Sequence, residues 1–247
     1  MTFKKTVLLL ILLIPIVSIA GMALYFQGYL GTTQMQLFHA VQADNSKRVS
    51  VLIEKTNNLN FRDDCDNTLL CTACYKAGHD VIELLLSNGA DANYRQGKDS
   101  AEGDTPLHCA VWADNIDAVK LLLKYGADAN ATKWKNQTPM HLLNPLRTKN
   151  RLGIVKLLLE HGANPNIQDD NGWSPLHKIL IQESSSIEIV KLMVKYGADP
   201  YLENKITPLH YPDSNPFEFR DYTIGRTPFE IAEKKQLTEI LQTFEGN

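Results

Sequence analysis

Thr105-Pro-Leu-His-Cys-Ala-Val-Trp112, followed after Ala113 to Ala118 by Val119-Lys-Leu-Leu-Leu-Lys-Tyr-Gly-Ala-Asp-Ala-Asn130, is the stretch that decides the fold of this 247-residue chain. Thr105 is suited to cap a helix, and Pro106 falls at the first helical position, where its missing N–H costs nothing. A short helix therefore follows. Val119, Leu122 and Leu123 lie on one face of a second helix, which ends at Gly126, a residue that can take the left-handed C-cap conformation. Such a pair cannot bury its apolar face alone and needs neighbours.

The neighbours are in the sequence. The ending returns as Asn88-Gly-Ala-Asp-Ala-Asn93, His161-Gly-Ala-Asn-Pro-Asn166 and Tyr196-Gly-Ala-Asp-Pro-Tyr201, and the opening as Thr138-Pro-Met-His141 and Ser174-Pro-Leu-His177. The capping positions Thr68, Thr105, Thr138 and Ser174 are spaced by 37, 33 and 36 residues. A period of this size carrying one helix pair per unit specifies a stacked solenoid. In these motifs the chain resembles the ankyrin-repeat family, and the resemblance covers about Gln34 to Phe244. It implies an all-α solenoid of about six helix-turn-helix repeats, at approximately 34–60, 64–93, 101–130, 134–166, 170–200 and 224–246. The first unit lacks the Thr-Pro start and places its second helix near Lys47 to Lys55, and Thr227-Pro-Phe opens the last. Between Ser174 and Thr227 stand 53 residues, so 201–226 reads as an inserted loop. A stray Thr207-Pro-Leu-His210 inside it leaves a seventh, degenerate unit as the alternative.

Ahead of the repeats, Val7 to Phe26 contains no charged residue and follows Lys4-Lys5. That length, about 20 residues, matches the thickness of a bilayer's hydrocarbon core, and the lysines should remain on the cytoplasmic side. Residues 1–26 thus read as a signal anchor, or as a signal peptide cleaved after Ser18-Ile-Ala20, with 27–33 as a linker. Either reading exports the repeats: single-pass in the inner membrane facing the periplasm, or periplasmic after cleavage. Of 25 basic and 28 acidic residues, only Lys4 and Lys5 precede Phe26, so the exported part is mildly acidic. It offers no basic field for nucleic acid.

Little in the chain reads as chemistry. It contains no zinc-protease, nucleophile-elbow, phosphate-loop or dinucleotide motif, so it reads as no enzyme and as needing neither cofactor nor metal. His108, His141 and His177 hold one repeat position and are expected to be structural; in the family this histidine bonds the adjoining turn. Asp63-Asp64-Cys65-Asp66 and Asp169-Asp170-Asn171-Gly172 fall in turns, where Asp and Asn cap backbone amides, and neither has calcium-loop spacing. Cys71-Thr-Ala-Cys74 has redox spacing but lies inside a helix, which favours buried thiols or a structural disulfide over reactivity. Cys65 with Cys71 is the first candidate bridge, and Cys74 with Cys109 the other. Asn130-Ala-Thr132 matches a glycosylation acceptor, but the repeat itself supplies both residues.

The resemblance implies a partner protein held along the turn tips and the ends of the first helices. Counted from each capping residue, the contact places are Tyr75, Lys76, Trp112, Trp134, Lys135, Gln137, Trp173, Ile181 and Gln182. They include all three tryptophans of the chain. Trp and Tyr are enriched at interface hot spots because they bury much area with few rotamers to freeze. Tyr211, Phe217, Phe219 and Tyr222 give the inserted loop a second aromatic cluster. The expectation is a monomeric, non-enzymatic binder of one protein. Exported ankyrin proteins of this form resemble immunity proteins that block a toxin such as a secreted phospholipase; an envelope scaffold or a peroxide-defence accessory is the competing role.

Overall fold

A computed structural model describes residues 33–76, 78–97, 103–143, 149–182, 186–205 and 227–246. The anchor or signal segment, the stray Thr207–His210 and the loop aromatics Tyr211, Phe217, Phe219 and Tyr222 lie outside the described residues. No helix among the described residues is long and apolar enough to cross a membrane.

The described elements come in pairs: α1 (Thr33–Gln42) with α2 (Ser46–Ile53), α3 (Leu69–Lys76) with α4 (His79–Ser87), and α5 (Pro106–Trp112) with α6 (Ile116–Lys124). A 3-10 turn, Pro139–Leu142, pairs with α7 (Arg151–Glu160), then α8 (Pro175–Ile181) with α9 (Ile187–Lys195), and α10 (Pro228–Lys234) with α11 (Thr238–Glu245). First members pack on first members along the stack, from α1 through α3, α5, the 3-10 turn and α8 to α10. Second members do the same, from α2 through α4, α6, α7 and α9 to α11. The fifth and sixth pairs are direct neighbours, because α10 rests on α8 and α11 on α9.

One apolar seam runs between the two layers. Leu37, Leu70, Leu107, Met140 and Leu176 occupy corresponding places on the first members and are buried, as are Val49, Ile82, Val119, Val155 and Val190 on the second. Gly153 lets α7 approach α6 closely, since a Cβ there would stand 2.6 Å from Ile116 Cδ1. The fourth pair departs from the expected pattern: its first member is a single 3-10 turn rather than a helix. In the sequence Pro145 lacks the N–H that an α-helix would offer to the His141 carbonyl, which weakens the helical alternative at the end of this stretch.

Two polar ladders tie the pairs together. At the helix starts, the Thr105 backbone N–H donates to His108 Nδ1 at 3.2 Å, and Nε2 lies 3.0 Å from Gln137 O. The next unit repeats this with Thr138 N–H to His141 Nδ1 at 3.1 Å and Nε2 to Trp173 O at 2.9 Å. Because Nδ1 accepts, the ring is the neutral Nε2–H tautomer, and it donates to the carbonyl just before the next capping residue. Burial holds both His108 and His141 down to about 4. At the other end of each unit the terminal Asn spans to the following one. Asn93 Oδ1 accepts from Asp128 N–H at 2.8 Å while its Nδ2 donates to Gly126 O at 3.0 Å. Asn130 bonds Asn164 N–H and Gly162 O in the same way, and Asn166 bonds Asp199 N–H and Gly197 O. Asn130 is thus committed inside the ladder, and its match to a glycosylation acceptor is repeat chemistry.

Candidate functional site

The tips are short hairpin turns closed by carboxylates. Asp63 Oδ1 accepts from Cys65 N–H and Asn67 N–H, and Asp169 Oδ1 accepts from Asn171 N–H and Trp173 N–H, each at 2.8 to 3.0 Å. Asp169 is buried and ion-paired to Lys178 at 3.1 Å. Both acidic runs therefore serve the turns. In the fourth tip, backbone pairing of Lys133 with Gln137 encloses Lys135 and Asn136, whose φ angles are +61° and +55°. Two successive left-handed residues make the tight turn favoured in hairpins, and a lysine there is strained by roughly 1 kcal/mol. The turn thrusts Trp134 outward: it is 59% exposed, with Lys135 Nζ 4.3 Å from its ring centroid. Beneath it, Lys133 pairs with Asp104 at 2.9 Å, so the third and fourth tips are bridged by charge.

The nine contact places separate into two groups. Tyr75 and Lys76 at the end of α3, Trp112 at the end of α5, and Trp134 with Lys135 at the fourth tip present their side chains outward. Tyr75 and Trp112 are each nearly half exposed and occupy equivalent places in neighbouring units. The remaining places are drawn into the structure. Trp173 is partly buried against the core, edge-on to the His177 ring at 5.5 Å and under Lys178 Nζ at 5.6 Å. Ile181 packs on the core, and Gln182 Oε1 accepts from the buried Arg151 guanidinium at 2.7 Å. Burial lowers the Arg151 pKa, and the Asp114 carboxylate works against that shift. The Gln137 carbonyl is the acceptor for His108.

The cysteines are all free thiols, Cys65 exposed and Cys71, Cys74 and Cys109 buried. The Cys65–Cys71 bridge is not formed, for a physical reason: Cys65 sits in the tip turn, whereas Cys71 occupies the inward place that histidine holds in later units. Its S–H points at Asp104 O, 3.9 Å away, the same inter-unit carbonyl position that His108 and His141 reach one unit further on. Burial pushes Cys74, Cys109 and the Tyr75 phenol up, with neighbouring thiols and Asp104 adding to it at Cys109 and Tyr75. Thiols held neutral in this way are poor nucleophiles. The Cys74–Cys109 bridge is likewise not formed. The asparagine ladder was not anticipated from the sequence, although the Asn closing the repeated Gly-Ala-Asp motif was a visible signal for it.

Stacked helix pairs, histidine-held caps and outward tips define a helical-repeat solenoid of the interaction-module class. Residues 37–133 and 146–243 match the sequence model of the family described as Ankyrin repeats (3 copies). The chain belongs to the ankyrin-repeat family, whose members typically bind other proteins.

Proposed function

We propose that this protein is an exported, non-enzymatic binder that neutralises one partner protein, in the manner of an immunity protein occluding a toxin such as a secreted phospholipase. The observation that carries the reading is the exposed trio Tyr75, Trp112 and Trp134, displayed by a tightly packed stack with Lys76 and Lys135 beside it. Large aromatic side chains held by rigid elements lose little entropy on binding and are the residue types that dominate interface energetics. Export rests on the uncharged run Val7 to Phe26 behind Lys4-Lys5. The partner contacts are Tyr75, Lys76, Trp112, Trp134 and Lys135, with Trp173, Ile181, Gln137 and Gln182 supporting the surface from within.

The test is affinity purification of the tagged full chain from its native cells under non-reducing conditions, with mass spectrometry of what co-elutes. A single stoichiometric toxin, lost from the Trp112→Ala/Trp134→Ala variant, is the expected result. A spread of envelope proteins, or unchanged capture by that variant, would overturn the immunity reading and favour a scaffold.

A further inference from the structure

The first helix pair is the end of the described stack, and no described element packs on the outer side of α2. Lys47, Arg48 and Val51 of α2 are exposed there, and so is Lys55, two residues past its end. On a helical wheel, positions 47, 48 and 51 span little more than about a quarter turn, so they form a single face. Val51 stands half exposed among the three cations. None of these cations has a carboxylate partner among the described residues. In later units Lys124, Lys133, Lys156, Lys178 and Lys191 are ion-paired, while Lys76, Lys120 and Lys195 stand, like these, without an ion pair among the described residues. The first pair itself carries two acidic groups: Asp44 is turned to the second pair, accepting from Gly78 N–H at 2.8 Å, and Glu54 lies at the rim of the face. The exposed residues of α1, Gln34, His39 and Gln42, add no negative charge.

Chain length decides what this face meets. From Phe26, where the uncharged run ends, to Thr33, where α1 begins, the backbone reaches at most about 25 Å even when fully extended. If residues 7–26 span the bilayer, the first helix pair is held at the membrane surface, and it presents three unpaired cations on one exposed side in a chain whose exported part is acidic. We infer that the Lys47, Arg48, Val51 and Lys55 face docks on anionic lipid headgroups, with Val51 entering the interfacial layer, so that the aromatic surface is held at a fixed orientation above the membrane. This rests on the anchored form of the proposed function. Each basic residue near an anionic surface strengthens association about fivefold, and the tether supplies the effective concentration that lets three suffice. The attraction acts over about 8 Å at physiological salt and so requires near contact.

Cys65, the exposed thiol, provides the reporter. The full chain, labelled with a fluorescent donor at Cys65, is reconstituted into vesicles bearing a lipid acceptor, either pure phosphatidylcholine or phosphatidylethanolamine with three-tenths phosphatidylglycerol. Transfer should be markedly higher in the anionic vesicles. It should fall to the phosphatidylcholine level in 0.5 M salt and in the Lys47→Glu/Arg48→Glu/Lys55→Glu variant, with the helical circular dichroism unchanged. Equal transfer in both lipids, or a charge-reversed variant that behaves like the parent, overturns the docking face. Alkaline extraction of the vesicles separates this from the anchor. If the chain is stripped, the anchored reading fails, and flotation of added protein with preformed anionic vesicles decides the face. Salt-sensitive flotation lost in the variant supports it, and absence of flotation overturns it.

Discussion

Mild acid should unfold this protein through two buried imidazoles. His108 and His141 each accept a backbone N–H at Nδ1 and donate from Nε2 to the next unit, so both ring nitrogens are in use by the neutral form. A second proton at Nδ1 would break the Thr105 or Thr138 bond and place a charge in a buried seam. The folded pKa is accordingly about 4, against 6.5 for the unfolded chain. Since the folded value is the depressed one, the stabilisation is complete above pH 6.5 and is lost as pH falls toward 4. The slope is about 1.4 kcal/mol per pH unit for each ring. At pH 5.0 each has lost about 2 kcal/mol, and the pair about 4, a large part of the roughly 5–15 kcal/mol that holds a domain folded. Urea denaturation followed by far-ultraviolet circular dichroism at pH 7.5, 6.5 and 5.0 measures the loss, and histidine Cε1–H resonances report each ring directly. A midpoint unchanged between pH 7.5 and 5.0, or a His108 or His141 ring titrating near 6.5 in the folded protein, would refute the tautomer and burial argument.

Thiol titration of the native protein should find one fast group, Cys65, with Cys71, Cys74 and Cys109 reacting only after denaturation; two or more fast groups would show that the buried thiols are open to solvent. Replacing Asn130 by Ala removes the bonds to the Asn164 N–H and the Gly162 carbonyl, both of which water can reach, and should cost about 1 kcal/mol by denaturant melting. A loss under 0.5 kcal/mol would show the ladder bond to be dispensable, by the same yardstick. Lys135→Gly relieves the left-handed strain and should raise stability by about 1 kcal/mol while weakening partner capture, because the cation over Trp134 is lost. A variant both less stable and fully competent in binding would contradict that account of the tip.

The pairing of helices and the direction of the stack were legible because the physical signals repeat. Thr-Pro at each start, an apolar stripe and Gly at each end mean the same thing wherever they occur. The structural reading of the three histidines was legible for the same reason. What the sequence hid were the departures within the pattern. Trp173 and Trp134 both sit in tips and look alike as letters, yet one is roofed by Lys178 and set edge-on to His177, while the other is carried out by a tight turn. Which fate befalls a tryptophan depends on the turn conformation and on Lys178, five residues beyond Trp173, and neither is written at the position itself. Gln182 reads as an exposed polar contact place, but its amide is the acceptor that a buried arginine requires. Cys71 reads as half of a redox motif, whereas its alignment with the histidine position determines its surroundings.

The asparagine ladder also determines how the molecule should come apart. Its rungs join the first five units, from Asn60 to Asp91 through Asn166 to Asp199, and then cease, because Tyr201 stands where the next asparagine would be. Tyr201 stacks on Phe229 instead, with ring centroids 5.3 Å apart. A chain pulled from its two ends would therefore not yield evenly. In a stack whose units answer only to their neighbours, the seam without a rung gives first. The last helix pair should peel away at low force, leaving five units to rupture together.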